Sequence, residues 1–135
     1  ETCSDEAIVN AYDNTIFYAD YILAGLIDRL AAAQHVDPVL LYVSDHGESL
    51  GERGLYLHGQ PYGLAPAVQK QVPMLLWLPR NSIARLHIDT ACLRQGLRAP
   101  RSHDHVSHTL LGMAGIETNA YRQNLDLIAT CRSVR

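Results

Sequence analysis

Asp45-His46-Gly47 follows directly on the continuous apolar run Val39-Leu40-Leu41-Tyr42-Val43-Ser44, and His58 comes 12 residues after His46, in Tyr56-Leu57-His58-Gly59. Glu48 and Glu52 stand between the two histidines. Asp supplies a hard oxygen donor and His a borderline nitrogen, so Asp45 and His46 are a ligand pair for a divalent cation. Neighbours on a regular strand point to opposite faces, but a backbone that turns at Gly47 can aim both at one ion. Carboxylates and imidazoles around such a cation suit phosphoryl or sulfuryl transfer, with charge to polarise the transferred group and bases to move protons. Spacing alone leaves a structural alternative open, in which Asp45 caps the next turn and His46 hydrogen-bonds the loop. The concentration of ligand types in one loop carries more weight than any single member.

These residues need elements to hold them. Val9, Tyr12, Ile16, Ala19, Leu23, Leu26 and Leu30 recur in alternating steps of three and four and predict a long amphipathic helix from Ser4 to about Gln34. Ser4 is its expected N-cap, Asp5 and Glu6 suit the positive dipole end, and Pro38 forbids continuation. Tyr12, Phe17, Tyr18 and Tyr21 are read as packing residues. The unbroken run 39–44 reads as a strand covered on both faces in a parallel sheet, and Val72 to Leu78 reads as the next one. Helix followed by buried strand means α/β, and in open α/β sheets ligands bind beyond the carboxyl ends of strands, where Asp45 and His46 fall. The glycine-rich connection from Asp45 to Gln71 shows no sustained period and is long enough to be functional. Further on, a short helix is expected over Ile88 to Leu97. A clearer one is expected from Asp104 to Met113, capped by Ser102 or Asp104 and leaving at Gly115, and a last short helix within Tyr121 to Arg135.

Composition bounds the class. At 135 residues, 47% hydrophobic and 19% charged, the chain is one small domain or a piece of a larger one, and is too apolar for a disordered segment. A net charge of -3 supplies no basic field for polyphosphate, which argues against nucleic acid as a partner. The longest apolar runs, Val39 to Val43 and Met74 to Leu78, are strand-sized and far short of a bilayer span. Cys3, Cys92 and Cys131 lack zinc-finger spacing, and residue types alone leave buried thiols and a disulfide equally open. His35 suits a helix C-terminus and His87 has no companion ligand nearby in sequence. His103, His105 and His108 could bring a metal pair onto one helix face, though capping and loop hydrogen bonds explain them more cheaply.

The 18-residue stretch Tyr42 to Gly59 (YVSDHGESLGERGLYLHG), followed by Gln71 to Trp77 (QVPMLLW), closely resembles the catalytic domain of the lipid A phosphoethanolamine transferases. That family includes the mobile colistin-resistance enzymes and belongs to the alkaline phosphatase and sulfatase superfamily. The resemblance continues through Tyr12-Asp13-Asn14-Thr15, Ser102-His103-Asp104, His108 to Gly112 and Thr130-Cys131-Arg132. It implies a mostly parallel sheet flanked by helices, with Asp45 and His46 as ligands of the catalytic zinc. It places His58 beside the substrate, where it binds phosphate or a second zinc, and Glu48 at a pocket position suited to the substrate ammonium. The implied reaction has two steps: a threonine takes phosphoethanolamine from phosphatidylethanolamine, then passes it to a phosphate of lipid A.

In such enzymes the nucleophilic threonine, a further zinc-binding glutamate, another active-site histidine and the membrane-spanning region all lie upstream of the matched part. None has a counterpart here, and Thr15, Thr90, Thr109, Thr118 and Thr130 match structural positions. Residues 1–135 are therefore expected to be the C-terminal portion of a periplasmic catalytic domain whose parent sits at the inner membrane, inactive in isolation. Periplasmic exposure favours disulfides. The resemblance pairs Cys92 with Cys131, for about 3 to 4 kcal/mol if unstrained, and makes Cys3 half of a bridge whose partner lies upstream. Rival expectations are a sulfatase or phosphoglycerol transferase of the same superfamily, and a non-catalytic module that binds zinc weakly through Asp45, His46 and His58.

Overall fold

The computed structural model describes residues 3–133. It divides into two compact units: the chain up to Val36 with Leu40–Trp77, and Asp37–Val39 with Leu78 onward.

The first unit opens with α1 (Asp5–Ala32), whose N-cap Ser4 accepts a hydrogen bond from the Ala7 amide at 3.2 Å. Its half-buried row is Ile8, Tyr12, Ala19, Leu23, Ile27 and Leu30, and none of its residues is buried. Val9, Ile16 and Leu26 of the expected stripe are exposed, as are Phe17, Tyr18 and Tyr21, which therefore do not pack as core. A strict alternation of three and four follows a seven-residue repeat, and a straight helix drifts away from it by about 20° per heptad. Among the described residues no helix is long and apolar enough to cross a membrane.

The two apolar runs form β1 (Leu40–Val43) and β4 (Met74–Trp77), paired Leu40 to Trp77 through Val43 to Met74. Helices and strands make the chain α/β, but this pairing is antiparallel, against the parallel arrangement expected of the two runs. The expected cover on both faces is not found in this chain either, since β1 is half-buried throughout and Leu75 of β4 is exposed, and an apolar run does not report strand direction. A parallel return needs a crossover, usually helical, whereas the connection here carries only the single-turn α2 (Ala67–Lys70). The connection is also less irregular than its sequence suggests, because β2 (Ser49–Leu50) and β3 (Tyr56–Leu57) form a small hairpin around the 3-10 turn Glu52–Gly54.

In the second unit, α3 (Arg80–Arg85), which periodicity does not reveal, is tied to Asp37 by Asn81 at 2.8 Å and Arg85 at 3.2 Å. α4 (Thr90–Gly96) starts at Asp89, whose carboxylate accepts from the amides of Ala91 and Cys92. α5 (Asp104–Ala114) leaves through Gly115 at φ 66° as expected. Its N-cap position is His103, whose side chain does not cap the helix, and not Ser102 or Asp104, because the Ser102 hydroxyl is spent on the Asp104 carboxylate at 3.2 Å. The expected last helix is two 3-10 turns, Gln123–Leu125 and Ala129–Cys131, around fully buried Ile128; residues 134 and 135 of that stretch lie outside the described residues. Cys92 and Cys131 are disulfide-bonded with Cα atoms 5.5 Å apart, and Cys3 is free and exposed. Buried Asp126 accepts from the Tyr121 hydroxyl at 2.8 Å and the Ile128 amide at 2.9 Å. A Cβ on Gly112 would fall on that carboxylate.

Candidate functional site

β1 ends at Val43, and the next residues turn sharply. The Ser44 hydroxyl donates to the His46 carbonyl at 2.9 Å, and the Gly47 amide donates to the Gln69 carbonyl at 3.0 Å. That second bond presses residue 47 against α2 so closely that a Cβ would fall on the Val68 carbonyl oxygen, which is why glycine follows His46. The turn brings Asp45 and His46 to the same side. Asp45 Oδ1 accepts from the His46 amide at 3.0 Å, and its Oδ2 lies 3.7 Å from His46 Nε2. The His46 amide, then the His46 ring, hold the Asp45 carboxyl below the usual carboxylate range.

Glu48 and His58 flank the β2–β3 hairpin, which brings them together beside His46. The rings of His46 and His58 lie 3.8 Å apart between centroids at 32°, and Glu48 Oε2 is 3.0 Å from His58 Nδ1. Donor atoms of His46, Glu48 and His58 all lie within 4.8 Å of one another; Asp45 meets this cluster through His46. Sequence reasoning named all four residues, and the structure brings them together. It does not read Glu52 as a site residue, because that carboxylate caps the hairpin by accepting from the Leu50 amide at 2.8 Å.

The hydrogen bonds also settle which ring nitrogens face outward. His46 Nδ1 is 3.1 Å from the Gly47 carbonyl, which can only accept, so Nδ1 donates there and Nε2 is the ring nitrogen that faces Asp45. On His58, Glu48 takes the same role toward Nδ1 and leaves Nε2 for a ligand. A tetrahedral zinc with ligands at roughly 2.0 to 2.2 Å spaces neighbouring donors roughly 3.3 to 3.6 Å apart. The 3.7 Å between Asp45 Oδ2 and His46 Nε2 is close to that, so these two donors are spaced as such an ion needs, while the group of three potential ligands that lie together is His46, Glu48 and His58.

Two residues that sequence reasoning missed build the floor. Gln69 is buried and donates through Nε2 to the hydroxyl of buried Ser49 at 2.8 Å and to the Leu57 carbonyl at 3.1 Å. Its own carbonyl holds Gly47, so one side chain and one peptide fix the turn and both hairpin strands. A polar residue in a single helical turn between Pro66 and Pro73 was the available signal. At the far edge, the Tyr56 hydroxyl donates to Asp5 at 2.6 Å, which ties the hairpin to the start of α1 and raises the phenol above its ordinary value. Elsewhere, the Ser102 amide donates to His105 Nδ1 at 3.2 Å and the Arg122 amide to His108 Nδ1 at 3.1 Å, so these imidazoles serve the backbone.

The sulfatase family model matches residues 1–116. Phosphoethanolamine transferase EptA of Escherichia coli (strain K12) is 48% identical over 138 residues, covering 99% of this chain and 25% of the relative. Phosphatidylethanolamine transferase Mcr-2 of Escherichia coli is 39% identical over 110 residues, covering 81% of this chain and 19% of the relative. The crystal structure of the soluble domain of lipooligosaccharide phosphoethanolamine transferase A from Neisseria meningitidis superposes with a TM-score of 0.93 at 40% identity, over 98% of this chain and 40% of that one. The chain thus spans about a quarter of the length of the curated relatives.

Proposed function

The chain belongs to the sulfatase family, and from that premise we propose that it is the C-terminal part of the catalytic domain of a phosphoethanolamine transferase. The donor is phosphatidylethanolamine, the acceptor is lipid A or a related envelope lipid, and the resident metal is zinc. The observation that carries this reading is the meeting of the His46 and His58 rings at 3.8 Å, with Asp45 beside His46 and Glu48 bonded to His58, after the end of β1. Relatives named for phosphoethanolamine and phosphatidylethanolamine transfer support the choice of transferred group over sulfate.

Asp45 and His46 hold the zinc, which when bound supplies positive charge to polarise the phosphoryl group. His46 presents Nε2 because the Gly47 carbonyl retains the Nδ1 proton. His58, oriented by Glu48, directs Nε2 at a phosphate oxygen of the donor and can hold or release a proton there. Glu48 also provides the negative charge against which the ethanolamine ammonium rests. The covalent step belongs to a threonine of the intact enzyme outside this chain. Its oxygen bonds to phosphorus as the diacylglycerol oxygen leaves, and an acceptor phosphate oxygen then displaces the threonine. The domain faces the periplasm and is held at the inner membrane by parts of the parent beyond this chain.

The test is to incubate the purified intact enzyme with phosphatidylethanolamine and lipid A and to follow both lipids by mass spectrometry. Appearance of phosphoethanolamine-modified lipid A with matching diacylglycerol is the expected result. Hydrolysis of an aryl sulfate with both lipids unchanged would overturn the reading.

A further inference from the structure

We infer that Gln69 is a positioning residue: its side-chain amide holds Leu57 in a left-handed conformation and so keeps the His58 ring against His46. This rests on the phosphoethanolamine transferase reading for the reaction that His58 serves, and on this chain's own bonds for the placement.

The rings of His46 and His58 meet although 12 residues separate them, and one residue bonds to the peptide next to each. The Gln69 carbonyl accepts from the amide of Gly47, which follows His46. Its side-chain Nε2 donates at 3.1 Å to the carbonyl of Leu57, which precedes His58. A carbonyl can only accept, so the atom facing Leu57 is the amide nitrogen, and the second proton of that nitrogen goes to Ser49 Oγ at 2.8 Å. Both donors are thus committed within a floor where Gln69 is 7% and Ser49 1% exposed. Removing the amide takes a partner from two groups of the hairpin at once.

Leu57 depends on that bond. It sits at φ 63°, a conformation that a residue with a Cβ adopts only at a steric cost, and its side chain is 70% exposed in this chain, so side-chain packing here does not sustain it. The main chain does, through the pairing with Ser49 and the bond to Gln69. β3 ends at this residue and His58 is the next. A return of Leu57 to negative φ would redirect the chain at that point and carry the His58 ring away from the one it faces at 3.8 Å. Glu48 holds the ring through Nδ1, whereas the path of the backbone is set at Leu57.

The two contacts of Gln69 can be separated. Gly47 is held by the main chain of residue 69, which a substitution keeps, and Leu57 by the side chain, which a substitution removes. Changing Gln69 therefore loosens the His58 half of the site and leaves the Asp45 and His46 half in place.

The test uses the intact enzyme and Gln69→Met, which keeps the length of the side chain without its donors. Zinc content should be unchanged and turnover in phosphoethanolamine transfer lowered about tenfold, less than the roughly 100-fold expected of His58→Ala. In a His58→Ala background the same change should lower turnover less than about twofold, because Gln69 acts through that ring. Adding Leu57→Gly to Gln69→Met should restore most of the lost turnover, since glycine takes a positive φ without the steric cost. In the crystal structure of the Gln69→Met enzyme, Leu57 should leave φ 63° and the ring centroids should part beyond 3.8 Å. Zinc or folded protein lost along with turnover, an equal loss with and without His58, no recovery with Leu57→Gly, or unmoved rings would each overturn the inference. If the wild-type enzyme transfers no phosphoethanolamine, the functional reading fails, and the position of the rings in the Gln69→Met crystal structure alone decides the role of Gln69.

Discussion

Glu48 has two duties in this account, and they can be separated. Its Oε2 fixes His58 through Nδ1, while the side chain stays partly accessible for the substrate ammonium. In the proposed function Asp45 and His46 instead hold the ion, so the two pairs must respond differently to substitution. In the intact enzyme, Asp45→Ala and His46→Ala are expected to lower zinc content and abolish transfer. Glu48→Ala and His58→Ala are expected to keep the first zinc and to lose roughly 100-fold or more in turnover. Metal analysis and lipid A modification assayed on the same preparations read both quantities; full zinc with near-normal transfer in Asp45→Ala would return the Asp-His-Gly turn to a capped loop. Asp45, His46 and His58 stand out in the sequence because ligand types crowd one glycine-rich loop after a strand-like run, whereas only the resemblance sets Glu48 apart from Glu52. Ser49 and Gln69 do not stand out, since polar residues that satisfy one another under a site leave no periodic mark.

At the level of elements, the same physics that makes α1 and α5 legible makes the short pieces obscure. Ser4, Asp5 and Glu6 announce the start of α1, and Gly115 with positive φ announces the end of α5. The two-residue strands β2 and β3 and the one-turn α2 are shorter than any window in which periodicity can be counted. Strand direction was misread for a related reason, as apolar content reports burial whereas the path of the connection decides the pairing. The last turns of the chain depend on a tertiary arrangement as well: Asp126 is buried against Gly112 and takes the Tyr121 hydroxyl. Burial, then the bond to Asp126, raises the Tyr121 phenol above 10.0. A group raised in the folded state stabilises fully below its unfolded value and loses that contribution as pH rises through the folded value. Stability should therefore fall with alkaline pH beyond about 10, and Tyr121→Phe should remove that part of the fall. Denaturant titrations of both forms across that range check it, and parallel pH profiles would show that the hydroxyl has no such role.

For the whole molecule, family membership and the resemblance rest on different things. The sulfatase match spans residues 1–116, and the structural likeness to the Neisseria domain covers nearly the whole chain, yet the chain spans only 40% of that domain. Phe17, Tyr18 and Tyr21 of α1, expected as packing residues, are exposed, and they lie outside the apolar stripe that periodicity reports. The disulfide between Cys92 and Cys131, by contrast, was anticipated through the resemblance and is present. The central claim is that Asp45 and His46 hold a zinc beside His58 and Glu48. It is tested most directly by anomalous diffraction at the zinc edge from crystals of the intact enzyme purified without added chelator. The account predicts a peak bonded to Asp45 and His46 at roughly 2.0 to 2.2 Å, with His58 in the same cavity and still bonded to Glu48. A fully occupied zinc whose ligands exclude Asp45 and His46 would contradict it.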